Sequence, residues 1–313
     1  MKYFLDTNIY RNLARAIPLK DIKSLAEKIR NQELKLGVTS GFPIVVAMEL
    51  IHHLEKTDPE REECFKALCL LFDHSKNYNA SKNTFHGAFF PPLNVILPKY
   101  FFNKNGPFLE AYKVIIALTK DLTNNHDLEN IYRFQNEIEV VREQNIFEKK
   151  ELYDNIQEYL KDLNGGTLDW QYFSKNKIER KKWFREMQTG RSFAFLAEGL
   201  MIRAYKIMGK KYERTDENYA QFYKFHNDFF PAIAMTSIIL EQIGHGTLAI
   251  SNVYDHRWNT VLDISMMFGA IYNSKCDNII FVTEENKMHL FFEMNNMDNQ
   301  ILKLDEFKKR FSL

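Results

Sequence analysis

Short apolar runs at both ends of the chain predict strands of a parallel sheet. The first run, Tyr3–Leu5, stops abruptly at Asp6 and is followed by a helical pattern. In a parallel sheet, the last residue of such a strand reaches the carboxyl edge, where ligands bind in open α/β folds. Asp6 therefore has two interpretations. It is either an N-cap of the next helix, which Asp often provides, or an acid that serves a site at this edge.

The remaining periodicity predicts an α/β unit that is interrupted by a long helical region. Residues 74–107 are rich in Asn, Ser, Gly and Pro, and the prolines at 91–92 disfavour regular structure. From 108 to about 244 the pattern is almost wholly helical. The elements predicted outside these regions are helices at Tyr10–Ala16, from Asp21 to about Ile29, at Pro43–Ile51, at Pro59–Phe72, at about 260–273 and at Lys287–Glu293, and strands at Leu34–Val38, Asn278–Asn286 and Gln300–Leu304.

Further acids occupy settings that are otherwise apolar. Glu49 interrupts an apolar helical run, and Asp263 stands near the start of a helix whose apolar residues cover most of its surface. Because an unpaired buried carboxylate is costly, Glu49 either lies on the solvent face or faces an opening or a partner. Another apolar strand stops at Glu284 and Glu285. Together with Asp6, these acids predict a carboxylate cluster, which would repel itself unless a cation were bound.

The chemistry of this cluster favours a hard metal ion. Carboxylate oxygens without Cys or His ligands select Mg²⁺ or Mn²⁺. Such an ion lowers the pKa of a water molecule and stabilises the charge that develops when a phosphodiester is attacked.

The order and context of these residues resemble a PIN domain, a metal-dependent nuclease fold. The matching segments are Phe4–Asn8, Ser40 through the helix with Glu49 and Leu50, Asp263–Ala270, and Phe281–Glu285. The resemblance implies an α/β fold of three layers around a central parallel sheet. This nuclease domain would comprise residues 1–73 and 247–313, and residues 74–246 would form a large, mainly helical insertion.

The resemblance also implies a role for each matching residue. PIN domains hydrolyse RNA with three or four acids around Mg²⁺ or Mn²⁺, and some of them are toxins. The expected catalytic acids are Asp6, Glu49, Asp263 and Glu285, of which Asp6, Asp263 and Glu285 are expected metal ligands and Glu49 is a ligand or orients the water. Thr7, Asn8 and Thr283 are expected to hold these groups in place, with helix capping as the alternative for Thr7 and Asn8.

Two of these assignments have alternatives. Glu285 stands two residues after Thr283, as does the acid of the family's Thr-x-Asp motif, but it is Glu instead of Asp, and its neighbour Glu284 is the alternative. Asp255 is the alternative or additional ligand beside Asp263, because the two lie eight residues apart.

Charge is strongly sorted in the helical region. Residues 121–162 hold eleven acidic and five basic residues, whereas residues 170–214 hold twelve basic and four acidic ones. The basic stretch is also rich in Trp, Phe and Tyr, which suits single-stranded nucleic acid because cations neutralise phosphates and aromatic rings stack on bases. The expected contacts are Lys181, Lys182, Arg185 and Arg191. The alternative is a buried aromatic stripe with a solvated basic face that pairs with the acidic segment.

Composition limits the remaining function classes. The 313 residues are 45% hydrophobic, which predicts a folded protein, and a formal charge of +1 excludes a globally basic chain. The cysteines at 64, 69 and 276 have no metal-ligand spacing and are interpreted as reduced thiols. Without a signal peptide or a membrane-length apolar run, the sequence predicts a cytoplasmic protein with no membrane partner.

The sequence therefore predicts an endoribonuclease that uses Mg²⁺ or Mn²⁺ and water held by an acidic cluster. The substrate is single-stranded or structured RNA, and a role as a toxin or defence effector, a homodimer and an antitoxin or regulatory partner remain open. The alternative is a PIN-like module that binds RNA or protein without cutting. A phosphatase with Asp6 as nucleophile is disfavoured, because such enzymes need a second Asp where this chain has Asn8.

Overall fold

The computed structural model describes residues 1–75, 78–79, 84–85, 89–250, 252–253, 256–272 and 278–313. Its described residues form a mixed α/β protein with a small parallel sheet, which confirms the predicted class. The chain divides into two compact units. Unit 1 comprises Met1–Pro92, Leu109–Asn145 and Gly269–Leu313, and unit 2 comprises Leu93–Phe108 and Ile146–Phe268. The boundaries predicted at 73 and 246 stay a prediction, because compactness alone does not identify a nuclease domain.

The sheet of unit 1 joins the two ends of the chain. The strands are β1 (Lys2–Leu5), β2 (Thr39–Ser40), β3 (Phe42–Pro43), β4 (Tyr78–Asn79), β5 (Thr84–Phe85), β6 (Phe89–Phe90), β7 (Ile279–Val282) and β8 (Ile301–Leu302). Four of them form one parallel sheet in the order β2–β1–β7–β8. Apart from Lys2, β1 and β7 are wholly buried, as expected for central strands of a parallel sheet. Two smaller pairs are β3 with β6, which is parallel, and β4 with β5, which is antiparallel.

Seventeen α-helices are assigned within the described residues. They are α1 (Thr7–Ala14), α2 (Ile22–Leu36), α3 (Ile44–His52), α4 (Arg61–His74), α5 (Leu93–Phe102), α6 (Phe108–Leu122), α7 (Asn130–Arg133), α8 (Gln135–Leu163), α9 (Tyr172–Lys175), α10 (Lys177–Gln188), α11 (Arg191–Ile207), α12 (Asp216–Asp228), α13 (Phe230–Met235), α14 (Ser237–His245), α15 (Thr260–Tyr272), α16 (Asn286–Met294) and α17 (Leu304–Phe311).

The core of unit 1 forms around α4 and the sheet. Helix α4 packs against α1, α2 and α3, and its residues from Cys64 to His74 are buried except for Lys66. Helix α17 packs Phe311 against Tyr3 of β1, with 5.2 Å between the ring centroids. Helix α17 thereby packs on the strand that leads to Asp6.

Unit 2 is helical and has an aromatic core. Helix α11 packs against α5, α10, α12 and α13. Phe225 at the end of α12 lies 4.9 Å from both Phe101 and Phe229, centroid to centroid. The buried rings Trp170 and Phe173 belong to the predicted basic and aromatic stretch, so for these two residues the interpretation as a buried stripe is confirmed.

Two predicted segments differ from the structure, and one further helix was not predicted. The strand predicted at Leu34–Val38 is wrong, because α2 continues to Leu36 and Gly37 ends it in a left-handed conformation with φ 63°. The alternating apolar residues were misleading, since Leu34 is 77% exposed, and the strand lies instead at Thr39–Ser40.

The two other differences concern helices. Part of the stretch expected to be irregular forms α5, directly after the prolines at 91–92, a position where Pro is tolerated before a helix. The strand predicted at Gln300–Leu304 contains β8, and the residues after it form α17, for which no element was predicted. None of the helices in the described ranges combines the length and apolar character needed to cross a membrane.

Candidate active site

Asp6 and Thr283 are neighbours because their strands pair in register. Leu5 of β1 lies opposite Val282 of β7, so the next residue of each strand is brought to the same carboxyl edge of the sheet. The backbone N–H of Asp6 donates to the carbonyl of Val282 over 3.1 Å. The hydroxyl of Thr283 then donates to Oδ2 of Asp6 over 2.9 Å. Both residues are buried, at 5% and 1% exposure.

Thr7 connects Asp6 to Glu49. Asp6 is the N-cap of α1, and its Oδ1 accepts the backbone N–H of Thr7 over 2.6 Å. The hydroxyl of Thr7 donates to Oε2 of Glu49 over 2.5 Å, and Glu49 is half-buried on α3. Asp6 is thus an N-cap and also part of a buried polar network, so its two interpretations are compatible. Glu49 does not simply lie on the solvent face.

Glu285 and Glu284 have different surroundings although they are adjacent. The Thr283 hydroxyl accepts the backbone N–H of Glu285 over 3.1 Å, which places Glu285 beside the Asp6–Thr283 pair. Glu284 is exposed, and its Oε1 accepts the backbone N–H of Leu304 at the start of α17 over 2.7 Å. Its carboxylate therefore stabilises a helix N-terminus. Of the two acids, Glu285 has the better position to act with Asp6.

The surroundings of Asp6 destabilise its ionised carboxylate. Its pKa is raised from 3.8 to about 7, mainly by burial and then by the negative charges of Glu49 and Glu285. The hydrogen bonds from Thr283 and Thr7 lower the pKa but do not offset these effects. An ionised Asp6 therefore needs a positive charge nearby to be favourable at neutral pH.

The donor set fits a hard cation, although the carboxylates do not meet at one point. Asp6, Glu49 and Glu285 offer only oxygen ligands, and each Asp6 oxygen accepts one hydrogen bond and keeps further lone pairs. However, among the described side chains, the group of three possible ligand atoms that lie within 4.8 Å of one another belongs to His53, Asp58 and Glu60. Asp6, Glu49 and Glu285 are therefore close enough for the two glutamates to raise the pKa of Asp6. Their carboxylate oxygens are less tightly grouped than the ligands of a single ion.

The group of His53, Asp58 and Glu60 is explained by ordinary contacts. Nδ1 of His53 lies 2.9 Å from Oδ2 of Asp58, and Oδ1 of Asp58 accepts the backbone N–H of Glu60. Arg11 forms an ion pair with Glu60 over 2.7 Å. These contacts hold the connection between α3 and α4, so the group needs no metal.

Two of the remaining predicted site residues, Asp263 and Asn8, lie in the described part of the chain. Asp263 is half-buried in the first turn of α15 and belongs to unit 2, so its role as a fourth acid stays a prediction. Asp255 lies outside the described residues. Asn8 is half-buried in the first turn of α1.

The four predicted nucleic-acid contacts are all exposed. Lys181, Lys182 and Arg185 lie on α10, and Arg191 begins α11. Lys182 forms an ion pair with Glu179 over 2.6 Å, and Arg191 lies 3.8 Å from Glu186. Exposed pairs of this kind contribute little to stability, so they leave the side chains available for phosphate.

Sequence reasoning missed His289, which supports the site from α16. Its Nε2 donates to the carbonyl of Thr283 over 2.9 Å and so holds the backbone that carries the hydroxyl. The only signal was the spacing, because a residue six positions after Thr283 falls on the first turns of the following helix.

Comparisons with known proteins give no relative: no family model, no curated protein and no solved structure matches this chain.

Proposed function

We propose that the protein is an Mg²⁺- or Mn²⁺-dependent endoribonuclease of PIN-like fold, whose reaction centre is the carboxyl edge of the β1–β7 pair. One observation carries the proposal. A buried aspartate follows a central parallel strand, and its pKa is raised to about 7 by burial and then by two nearby carboxylates, Glu49 and Glu285. Helix capping needs only the Asp6 carboxylate, whereas further carboxylates beside a buried acid repel it and are typical of functional sites.

The residues around this edge have distinct roles in the proposed reaction. Asp6 and Glu285 would hold the cation, and Glu49 would either join them or orient the attacking water. Thr7 and Thr283 fix the orientation of Asp6 through the hydrogen bonds described above, and His289 fixes Thr283. When bound, Mg²⁺ or Mn²⁺ supplies a Lewis acid that lowers the pKa of water and offsets negative charge on the phosphate.

Support for RNA as the substrate comes from unit 2, whose exposed basic residues suit a polyanion. The expected homodimer and the antitoxin or regulatory partner stay predictions. The alternative is a module that binds RNA without cutting it. That alternative holds if the wild-type protein binds RNA and never cleaves it.

The first test is cleavage of end-labelled RNA by the wild-type protein with Mg²⁺, with Mn²⁺ and with EDTA. Cleavage is expected with either cation and is expected to stop in EDTA, with products that show internal cuts. Cleavage that continues unchanged in EDTA would contradict the metal-dependent mechanism.

The adjacent acids after Thr283 provide a matched pair for the second test. Glu285→Gln should lower kcat/KM at least about 100-fold, because support residues of metal sites alone cost 10- to 100-fold. Glu284→Gln removes the same charge one residue away but affects only the N-terminus of α17, so activity should change less than about threefold. Equal losses in the two variants would show that local charge, not the site, controls activity.

A further inference from the structure

An aromatic cavity lies within unit 2. Residues of α10, α11 and α12 and of the segments that follow them line a space of about 650 Å³. This volume falls within the range of pockets that bind small organic groups. Four aromatic side chains of its lining have strongly exposed rings: Phe195 at 74%, and Tyr219, Tyr223 and Phe230 at 40% to 58%.

This clustering is unusual for the protein. Within the described part of the chain, seven Phe and Tyr side chains are exposed, and four of them line this one cavity. Singly scattered exposed apolar residues need no explanation, whereas a contiguous group indicates a binding surface.

The rings are fixed but present open faces. Tyr219 and Tyr223 meet edge to face at 4.8 Å, and their hydroxyl oxygens lie 3.3 Å apart, so one turn of α12 holds both rings in place. Phe193 and Phe230 also meet edge to face, at 6.3 Å. Phe195 has no ring partner among the described residues, and its faces are available for stacking.

Exposed cations flank the cavity on the α10–α11 side. The lining itself holds one acid, Glu198, and no Lys or Arg. Arg185, which is exposed, precedes the lining residue Gln188 by three positions on α10, so the two lie on one face of that helix. Arg191 directly follows the lining residue Gly190, and its side chain is 78% exposed.

We infer that this cavity binds unpaired nucleobases of single-stranded RNA, with the phosphates on the α10–α11 side. The inference rests on the proposed nuclease function and names the part of the protein that holds the substrate. Aromatic faces stack on every base, and an adjacent cationic surface follows the phosphate backbone. A purely apolar ligand would gain nothing from Arg185 and Arg191. A cationic ligand would be repelled by them, and the one acid in the lining, Glu198, is already bonded to Arg214 and Tyr212.

The test measures binding, not cleavage, so that it is independent of the nuclease proposal. Wild-type protein in EDTA is titrated into a fluorescein-labelled single-stranded 20-mer that contains one 2-aminopurine, and into the same sequence as a duplex. Stacking on protein rings should change the 2-aminopurine fluorescence. The single strand should bind more tightly than the duplex.

The variants separate stacking from general apolar contact. Phe195→Ala and the double variant Tyr219→Ala/Tyr223→Ala should each weaken single-strand binding about tenfold and abolish the fluorescence change. Phe195→Trp should bind like the wild type, because it keeps an aromatic face, whereas Phe195→Leu should behave like Phe195→Ala. Phe147→Ala removes an exposed ring of unit 2 outside the cavity lining and should have no effect. Circular dichroism and thermal midpoints check that each variant is folded.

Several outcomes overturn the inference. These are equal binding by wild type and Phe195→Ala, full binding by Phe195→Leu, absence of RNA binding by the wild type, or a wild-type dimer that Phe195→Ala dissociates, which would assign the cavity to a second copy of the chain. Failure of the nuclease proposal has a different signature: RNA binds through these rings, but no cleavage follows with Mg²⁺ or Mn²⁺.

Discussion

The edge of the sheet in unit 1 and the aromatic cavity in unit 2 are constructed in opposite ways. Around Asp6, polar groups are buried, and a chain of hydrogen bonds from Thr7 to Thr283 holds them in place. In the cavity, large apolar rings are exposed and held by contacts with one another. The first region concentrates negative charge in a place from which water is largely excluded, and the second presents rings to solvent beside positive charge.

The two regions suit different kinds of ligand. A buried acid with a raised pKa gains stability only from a cation or a proton, so the unit 1 edge suits an ion and the group that the ion activates. Exposed rings gain stability when another flat group covers them, so the cavity suits bases. Variants should therefore be able to remove cleavage and leave RNA binding intact, or the reverse.

Asp6→Asn is expected to have the largest effect on cleavage at the unit 1 edge and no effect on RNA binding by the unit 2 cavity. Cleavage of RNA with Mg²⁺ should fall by about 1,000-fold or more, because the change removes the charge of the central ligand. The affinity for single-stranded RNA in EDTA should stay within about twofold of the wild type. The two quantities are measured by gel-based cleavage and by fluorescence anisotropy. Undiminished cleavage would remove Asp6 from the reaction.

The free energy of unfolding should depend on pH through Asp6 in the metal-free protein. Since the folded pKa of about 7 lies above the unfolded value of 3.8, protonated Asp6 stabilises the fold below about pH 4, and this stability is lost as the pH rises through 7. Between pH 5 and 8 the loss should be about 2–3 kcal/mol.

Urea denaturation in EDTA at pH 5 and pH 8, for wild type and Asp6→Asn, isolates this contribution. The variant should lack that part of the pH dependence, because Asn does not titrate. Added Mg²⁺ should restore stability to the wild type at pH 8, and it should have little effect on Asp6→Asn. Identical pH dependence in the two proteins would show that Asp6 does not carry the proton.

Thr283→Val should weaken both stability and catalysis at the same edge. The change keeps the shape but leaves Oδ2 of Asp6 and the backbone N–H of Glu285 without their partner, so the free energy of unfolding should fall by about 1–3 kcal/mol. Activity should fall about 10- to 100-fold, since the orientation of Asp6 is lost.

Thr119→Val is the matched control for this change. Thr119 is equally buried in α6, and its hydroxyl donates to the helical carbonyl of Ile115, so its loss leaves no isolated polar group. Activity of this variant should equal that of the wild type. A comparable loss of activity in both variants would attribute the effect of Thr283→Val to general destabilisation.

The sequence predicts the unit 1 edge better than the unit 2 cavity for a physical reason. Asp6, Thr283 and Glu285 each follow an apolar run, and parallel strands bring such positions to one edge whatever the exact pairing. The link from Thr7 to Glu49 depends on how α3 is placed and could not be read from spacing. Alternating patterns were also ambiguous: the exposed Leu34 suggested a strand where α2 continues.

The cavity needed tertiary structure to be seen. Phe195, Tyr219 and Tyr223 lie on two different helices, and the basic stretch alone pointed to residues 170–214, which excludes α12. Composition could not distinguish the buried Trp170 and Phe173 from the exposed Phe195, because all three belong to the same aromatic stretch. Burial, not residue type, decides which ring can meet a base.

The smallest expected effect concerns the basic face of α10. Lys181→Glu/Lys182→Glu should weaken binding of single-stranded RNA several-fold and reduce the slope of log affinity against log salt by about 1 to 1.5, as expected for the loss of about two phosphate contacts. Lys308→Glu/Lys309→Glu on α17 changes the net charge equally in unit 1 and should leave the slope unchanged. Affinities at several salt concentrations, measured in EDTA, give both slopes. An unchanged slope in the α10 variant would return these lysines to an ordinary solvated face, and Arg185 and Arg191 beside the cavity would then be left to contact the phosphates.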